Sequence, residues 1–431
     1  MVSSNRIKQV EIMAPAGSYE SLEAAIKAGC DSVYFGIEQL NMRARASNNF
    51  TLSDLRRIVE RCDKDEVKTY LTLNTILYDH DIKLMKKICD AAKDSEVSAV
   101  IASDVAVISY ANSIGLSVHI STQVNVSNIE TIRFYSKFAD VIVLARELTL
   151  QQIKDICEDI KREEIKGPSG ELVRIEIFAH GALCVAISGK CYMSLATENA
   201  SANRGACLQN CRKAYRVIDE ESGEELKIDN KYIMSPKDLC TIGFLDKLLG
   251  SGICVLKLEG RGRSVDYVYT VTKTYREGVD SVFDGSYSKD KIDRWVKDLE
   301  SVYNRGFWHG GYYLGKKLGE WSGVYGSKSS KEKRLIGVCK HYYPKTEIGE
   351  FLLTSGKIEI GDEIIVTGKS TGILKQKIEG MYVDEKPANG AEKGDVVTMK
   401  VNERVRENDK LFILFDKEKY QDQKSKMVEG D

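Results

Sequence analysis

Between residue 11 and about residue 265 the chain alternates short, nearly continuous apolar runs with segments whose apolar positions recur every three or four residues. The runs are Glu11-Ile12-Met13-Ala14, Ser32-Val33-Tyr34-Phe35, Thr69-Tyr70-Leu71-Thr72-Leu73, Ala99-Val100-Ile101, Ser117-Val118-His119-Ile120, Val141-Ile142-Val143-Leu144, Ile175-Glu176-Ile177-Phe178 and Val255-Leu256-Lys257-Leu258. Parallel strands buried on both faces read this way, without the polar alternation of a half-exposed strand. Between the runs, Ser18 to Ala28 opens on a serine cap and stops at Gly29, and Leu52 to Cys62 and Asp81 to Ala92 read as helices of the same kind. About eight β-like runs spaced by helical patterns predict an α/β protein built on a TIM-like (β/α) barrel. An open doubly wound sheet is the rival, but no Gly-x-Gly-x-x-Gly follows the first run, which weighs against a dinucleotide-binding version.

Past residue 265 the texture changes twice. Residues 266 to about 305 are helical in pattern, whereas the stretch from Arg305 to Lys333 is rich in Gly, Tyr, Trp, Ser and Lys and reads as a connection. From Leu335 onward short alternating strands such as Gly349-Glu350-Phe351-Leu352-Leu353 are punctuated by Gly356, Gly361, Gly368, Gly372, Gly390 and Gly394. The expected organisation is a barrel domain over residues 1–305, a linker over 306–333, a small all-β barrel over 334–420 and a flexible polar tail over 421–431.

The 431 residues are 42% hydrophobic and 29% charged, ordinary for a globular protein with a sizeable core. A formal net charge of −1 gives no global field to draw in nucleic acid, so any RNA contact has to come from a local basic patch. The N-terminus lacks the apolar core and cleavage site of a secretory signal, and no stretch approaches the roughly 20 apolar residues of a membrane helix. The expected location is the cytoplasm, away from membranes, where structural disulfides are rare and eleven cysteines need another account. Six of them (Cys30, Cys62, Cys89, Cys157, Cys254, Cys339) are scattered through strand- or helix-like segments, where small buried hydrophobes are the simple reading.

The other five crowd into one region. Cys184, Cys191, Cys207 and Cys211 fall within 28 residues of loop-like sequence rich in Gly, Ser and Asn, and Cys240 follows in a more regular segment that reads as a helix start, with replacement of one ligand as its alternative role. Thiolates are soft ligands suited to zinc or iron–sulfur centres. Structural zinc usually uses cysteine pairs two to four residues apart, and here only Cys207 and Cys211 are spaced so. A four-iron cluster accepts irregular spacings, which favours a 4Fe-4S centre on Cys184, Cys191, Cys207 and Cys211, with zinc and free thiols as the alternatives. A zinc-protease His-Glu-x-x-His, a Gly-x-Ser-x-Gly elbow and a P-loop do not occur. A Cys184–His180 nucleophile pair remains open, although it leaves the neighbouring cysteines unexplained.

In a barrel, chemistry gathers where strands end and loops begin. Asn74, Ser103, Asp104, Ser121, Thr122, Gln123, Arg146, Glu147, His180, Glu259 and Arg261 stand at such places. Each alone reads as a cap or loop residue; together they form the expected rim of one pocket. Arg43 and Arg45 follow the second run and Arg261 and Arg263 the last, where guanidinium groups suit bidentate binding of a carboxylate or phosphate. Lys190, Arg204, Arg212, Lys213 and Arg216 lie around the cysteines. His180, Glu259 and Arg261 are the expected catalytic groups, with His180 or Glu259 moving protons; Arg43, Arg45, Asn74, Gln123 and Arg263 are the expected substrate contacts.

These residues also carry a resemblance. His180-Gly181-Ala182-Leu183-Cys184 through Ser188-Gly189-Lys190-Cys191-Tyr192-Met193-Ser194 resembles the signature of peptidase family U32, the collagenase-like peptidases. Met13-Ala14-Pro15-Ala16-Gly17-Ser18, Ala28-Gly29-Cys30-Asp31-Ser32-Val33-Tyr34-Phe35-Gly36 and Lys257-Leu258-Glu259-Gly260-Arg261 are similar to its other motifs, so that the likeness spans residues 10 to 330 or so. The C-terminal segment resembles the extra domain of longer members and the β-barrels of translation factors. The family name implies proteolysis. The resemblance to its tRNA-hydroxylating members implies instead conversion of wobble uridine to 5-hydroxyuridine with prephenate and an iron–sulfur cluster, whose cysteines map onto Cys184, Cys191, Cys207 and Cys211. Related members hydroxylate ribosomal RNA or the ubiquinone ring. The expected partners are therefore tRNA or another RNA and a small carboxylate such as prephenate, with the electron donor unassigned. A cluster-bearing RNA-binding factor without turnover is the non-enzymatic alternative.

Overall fold

The computed structural model describes residues 10–45, 49–216, 218–223, 234–315, 320–324 and 326–417. Ten strands form the first sheet: β1 (Glu11–Pro15), β2 (Ser32–Phe35), β3 (Lys68–Leu73), β4 (Ala99–Ala102), β5 (Val118–Ile120), β6 (Val141–Val143), β7 (Arg174–Gly181), β8 (Asp238–Cys240), β9 (Val255–Leu258) and β10 (Phe307–His309). Strands β1 to β7 pair in parallel in chain order, and β9 pairs in parallel with both β7 and β1, closing an eight-stranded barrel. All eight barrel strands coincide with the apolar runs of the sequence, because each is buried against the barrel interior on one face and helices on the other.

The helices are α1 (Tyr19–Lys27), α2 (Leu55–Asp63), α3 (Ile82–Asp94), α4 (Val105–Ser113), α5 (Ile129–Tyr135), α6 (Leu150–Arg162), α7 (Met193–Glu198), α8 (Leu245–Gly250), α9 (Val265–Phe283) and α10 (Lys289–Ser301). Their starts are chemically marked: the Ser18 hydroxyl accepts the Ser21 N–H ahead of α1, Asp104 caps α4, Asn128 caps α5, and Thr149 with Gln152 makes a capping box on α6. One face of each long helix is buried, as Leu55, Ile58, Val59 and Cys62 are on α2.

Two expectations about the surroundings change. Cys240 does not start a helix; it ends β8, which runs antiparallel to β7, and it is fully buried, with burial pushing its thiol up to about 12. The segment read as a linker carries β10, which pairs in parallel with β8 and buries Trp308 completely. Its Gly- and aromatic-rich composition resembles a loop, but the aromatic rings pack against the barrel. No helix among the described residues is long and apolar enough to cross a membrane.

Past the barrel the chain is antiparallel and all-β: β11 (Lys331–Tyr343), β12 (Ile348–Leu353), β13 (Lys357–Glu359), β14 (Glu363–Gly368), β15 (Gly372–Lys377), β16 (Met381–Val383), β17 (Lys386–Ala388), β18 (Gly390–Glu392), β19 (Val396–Lys400) and β20 (Lys410–Asp416). Eight of these form one sheet, and β13 pairs with β18. This region has its own core around Phe351, Ile364, Val366, Val397 and Leu411. It docks on the barrel through Ile365 and Ile373 against Ala24 of α1, with Lys27 paired to Glu403 and Lys333 to Asp266. The tail expected over 421–431 lies outside the described residues.

Candidate functional site

One cavity opens at the end of the barrel where the strands finish, which is where this architecture concentrates its chemistry. Residues from β2, β3, β5, β6, β7 and β9 and their following loops reach it, and the excursion from Ala182 to Arg212 adds to its wall. All four clustered cysteines line it: Cys184, Cys191, Cys207 and Cys211. Cys184 is exposed and the other three are half-buried, whereas Cys30, Cys62, Cys89, Cys157, Cys240 and Cys339 are buried elsewhere. Burial pushes the Cys211 thiol up to about 11, against the pull of Arg212, and the charges of Cys184, Cys207 and Cys191 add to the rise. Each of the other three sulfurs is therefore near enough to Cys211 to feel its charge. Among the described residues, no three His, Cys, Asp or Glu side chains are already gathered close enough to hold a single metal ion.

The excursion carrying the cysteines is anchored by Arg212. Its guanidinium donates to the Ser235 hydroxyl and the Pro236 carbonyl at 2.9 Å each, and to the Leu183 carbonyl at 2.5 Å. It thereby ties together Leu183, the residues before β8 and the last cysteine, all loop segments without a ladder of their own.

Among the described residues, six basic side chains line the cavity (Arg43, Arg146, Arg212, Lys257, Arg261, Arg263) against a single carboxylate, Glu259. Glu259 accepts from Arg43 at 2.9 Å, and the Tyr34 hydroxyl stands 3.1 Å from its other oxygen. Burial alone would raise the Glu259 carboxyl, but Arg43, Arg146 and Arg261 outweigh it and hold it at about 2. Glu259 is thus a fixed anion that orients Arg43, and its expected proton-moving role does not match its surroundings. Arg261 is almost fully buried and donates to Thr72 and Asn41 at 2.7 Å each; burial brings it down to about 10. Gly36 makes room for it, since a Cβ there would lie 2.3 Å from the Arg261 Nη1. Arg146 stacks on Phe178 at 3.9 Å and donates to the Ala182 carbonyl, and Arg263 lies 3.7 Å over the Tyr303 ring. On the opposite wall the Asn74 amide donates to the Ser121 hydroxyl and to the Gln123 carbonyl oxygen, which fixes both amides.

Ser103, Asp104 and Glu147 of the expected rim do not line the cavity, and neither do two of the expected catalytic and substrate-contacting residues. Arg45 is exposed beyond its lip. His180 is buried on the outer face of β7, among the rings of Tyr267, Tyr275 and Phe307, with centroids 5.5–6.2 Å away. Strand alternation from Glu176 and Phe178 points His180 inward, but the pairing of β7 with β9 shifts register between Phe178 and His180 and turns it out. Burial holds its imidazole down at about 3, so it is neutral, and its place among those rings sets it apart from Cys184 on the cavity wall.

Lys257 and Tyr34 reach the cavity from inside two strands. Lys257 of β9 is buried and pairs with Glu176 of β7 at 2.8 Å. A lysine and a glutamate each interrupting an apolar run was the available signal. Tyr34, buried inside β2, stands 4.6 Å below the Lys257 ammonium, and an aromatic residue in an apolar run gives no sign of it in the sequence.

A TIM-like barrel whose mouth joins four thiols to a ring of guanidinium groups is the class of protein this chain represents. The chain belongs to peptidase family U32, whose family model matches residues 17–323. It is 54% identical to a protein named collagenase from Porphyromonas gingivalis, over 95% of this chain and 99% of that one. It is 31% identical to the tRNA hydroxylation protein P1 of Bacillus subtilis, over 71% of this chain and 72% of that one. It is 33% identical to a 23S rRNA 5-hydroxycytidine synthase of Escherichia coli, over 71% of this chain and 45% of that one.

Proposed function

We propose that the chain is an iron–sulfur-dependent RNA hydroxylase, forming 5-hydroxyuridine at the tRNA wobble position with a small carboxylate such as prephenate. The observation that carries this reading is the convergence of Cys184, Cys191, Cys207 and Cys211 on one cavity beside six basic side chains. Four thiols that line one cavity at irregular spacing suit a cluster in which each thiolate binds its own iron, whereas structural zinc usually takes close cysteine pairs and only Cys207 and Cys211 form one. Relatives named for tRNA and rRNA hydroxylation support the RNA half of the reading.

The four cysteines would hold the cluster, which supplies one-electron redox chemistry when bound. The chain's own groups do the rest. Arg43, steered by Glu259, and Arg146, braced on Phe178, offer paired N–H donors to a carboxylate or phosphate. Arg261 holds Thr72 and Asn41 in place at the floor, and Asn74 with Gln123 presents a fixed polar wall to a base edge. The neutral His180 stays outside the chemistry.

The test is protein purified without air. A broad brown absorbance with iron and sulfide in near-equal amounts is expected, lost on Cys184→Ser or Cys207→Ser and kept on Cys89→Ala. Deleting the gene in a strain without a paralogue should abolish wobble 5-hydroxyuridine by nucleoside mass spectrometry. Colourless, iron-free protein overturns the cluster, and unchanged hydroxylation overturns the activity.

Proteolysis is the second reading, favoured by the collagenase name of a relative 54% identical and by the exposure of Cys184 on the cavity wall. Gelatin cleavage by the anaerobic protein, lost in Cys184→Ala, would establish it.

A further inference from the structure

The excursion that brings the cysteines to the cavity also displays a group of large side chains to solvent. Tyr192 directly follows Cys191, so its backbone sits at the cavity wall, yet it is 74% exposed. Ile187, Leu195 and Leu208 on the same excursion are 53%, 36% and 43% exposed. Leu208 and the turn after Tyr192 are held side by side, the Leu208 N–H donating to the Ser194 hydroxyl at 3.0 Å. Single exposed apolar residues are ordinary on a protein surface, but Tyr192, the most exposed of these four, stands next to a cysteine of the cavity wall.

The charge of that segment selects the partner. Arg204 is paired with Asp81, Lys213 with Glu198, and Arg212 is held by Ser235, Pro236 and Leu183, so the cations that face a partner are exposed Lys190 and those of the adjoining cavity, where six basic side chains meet Glu259. Lys190 is exposed between Gly189 and Cys191, both of which line the cavity. An aromatic ring and aliphatic side chains with cations beside them suit a polyanion that also offers flat apolar faces. That is the chemistry of an unpaired RNA strand, whose bases stack on aromatic rings while its phosphates meet lysine and arginine. A duplex fits poorly, since its bases are stacked on one another and the site behind the ring is a pocket that admits one base turned out of its stack.

We infer that Tyr192, with exposed Lys190 two residues before it and Leu208 held against the Ser194 turn that follows it, is the docking platform for a single-stranded RNA loop. The base next to the one entering the cavity stacks on Tyr192, and the backbone runs past Lys190. This rests on the hydroxylase reading for the nature of the substrate, but it concerns a surface outside the cavity.

The experiment uses the full chain purified without air and a fluorescein-labelled RNA hairpin with a single-stranded, uridine-containing loop. Controls are the same RNA annealed into a full duplex and a labelled gelatin peptide. Tyr192→Ala should weaken hairpin binding about 5- to 150-fold, the range for loss of one base–aromatic stack, while Tyr192→Phe binds as the unaltered protein does. Lys190→Gln should lower the slope of log affinity against log salt by about one. Iron content equal to that of the unaltered protein shows that the variants are folded. Equal hairpin binding by Tyr192→Ala, duplex bound as tightly as hairpin, or a Tyr192 effect confined to the gelatin peptide each overturns the platform. If the platform behaves as expected but tRNA from the deletion strain keeps its hydroxylation, the hydroxylase reading fails and the surface stands. If hydroxylation is lost on deletion and Tyr192→Ala binds normally, the surface fails alone.

Discussion

The barrel encloses two polar layers, and they are built on opposite principles. Near the strand starts, the Glu11 carboxylate accepts from Tyr70 at 2.7 Å and from Arg174 at 2.9 Å, with Lys68 at 3.4 Å. Above it, Glu176 pairs with Lys257, and His119 stacks against Tyr70. In this lower layer acids and bases answer one another, and burial keeps His119 neutral by holding it at about 3. At the mouth, among the described residues, six bases face one acid. A barrel can bury charge safely when each ion has its partner; it leaves cations in excess where something from outside is to complete them. Lys257 marks the boundary, since its ammonium belongs to the lower layer by pairing and to the cavity by position.

That boundary gives the largest expected effect. Lys257→Met removes the partner of a fully buried Glu176 and should cost about 3–5 kcal/mol in urea denaturation at pH 7. The double variant Lys257→Met with Glu176→Leu should recover most of that loss, because no lone ion is left inside. The Glu176 carboxyl is already raised by burial even with Lys257 beside it. In the single variant it rises further, so the loss should shrink as the pH falls toward the ordinary glutamate range, where protonation removes the stranded charge. A single variant no less stable than the double would show that the lower layer is not a matched set.

Next in size is Glu11. Burial opposes its ionisation, but Lys68, Arg174 and Tyr70 prevail and hold it at about 2, below its ordinary 4.5. A carboxylate depressed on folding stabilises the protein above its unfolded value, and that stability is lost as the pH falls from there through about 2. The shift corresponds to about 3 kcal/mol. Glu11→Gln should therefore lower stability by about this amount at pH 6, with the gap to the unaltered protein closing toward pH 2. Denaturant midpoints at pH 6, 4 and 3 measure it; a gap that does not close would mean that Glu11 acts through packing and not charge.

The same contrast explains what the sequence made legible. Ser32–Phe35 and Val255–Leu258 are strands with the bounds their apolar runs suggest, because two-sided burial writes itself as continuous hydrophobicity. The cysteines, Arg43, Asn74, Gln123, Glu259, Arg261 and Arg263 come to one cavity because a barrel places the ends of its strands, and the loops that follow them, at one mouth. Residues whose direction depends on a local irregularity were not. His180 needs the register shift in β7 to be placed, and that shift follows from pairing with β9, about 80 positions away in the chain. Phe307–His309 is a three-residue strand held by tertiary packing, too short to stand out from its glycine-rich neighbours.

The smallest effect separates two arginines inside the mouth. Arg43 is oriented by Glu259 and lies on the cavity wall with the cysteines, whereas Arg263 rests flat on Tyr303 at the end of the β9 loop. A group held against the reacting part of a substrate contributes most as charge develops there; one on an aromatic shelf at the edge holds substrate and transition state alike. On the hydroxylase reading, Arg43→Gln should lower kcat, while Arg263→Gln should raise KM a few-fold with kcat unchanged. Loss of the stacked cation should cost Arg263→Gln no more than about 1 kcal/mol of stability. Steady-state kinetics against the small carboxylate measure both. A kcat effect as large for Arg263 as for Arg43 would mean that the two act as one clamp, and that the cation excess at the mouth extends without a division from its wall to its edge.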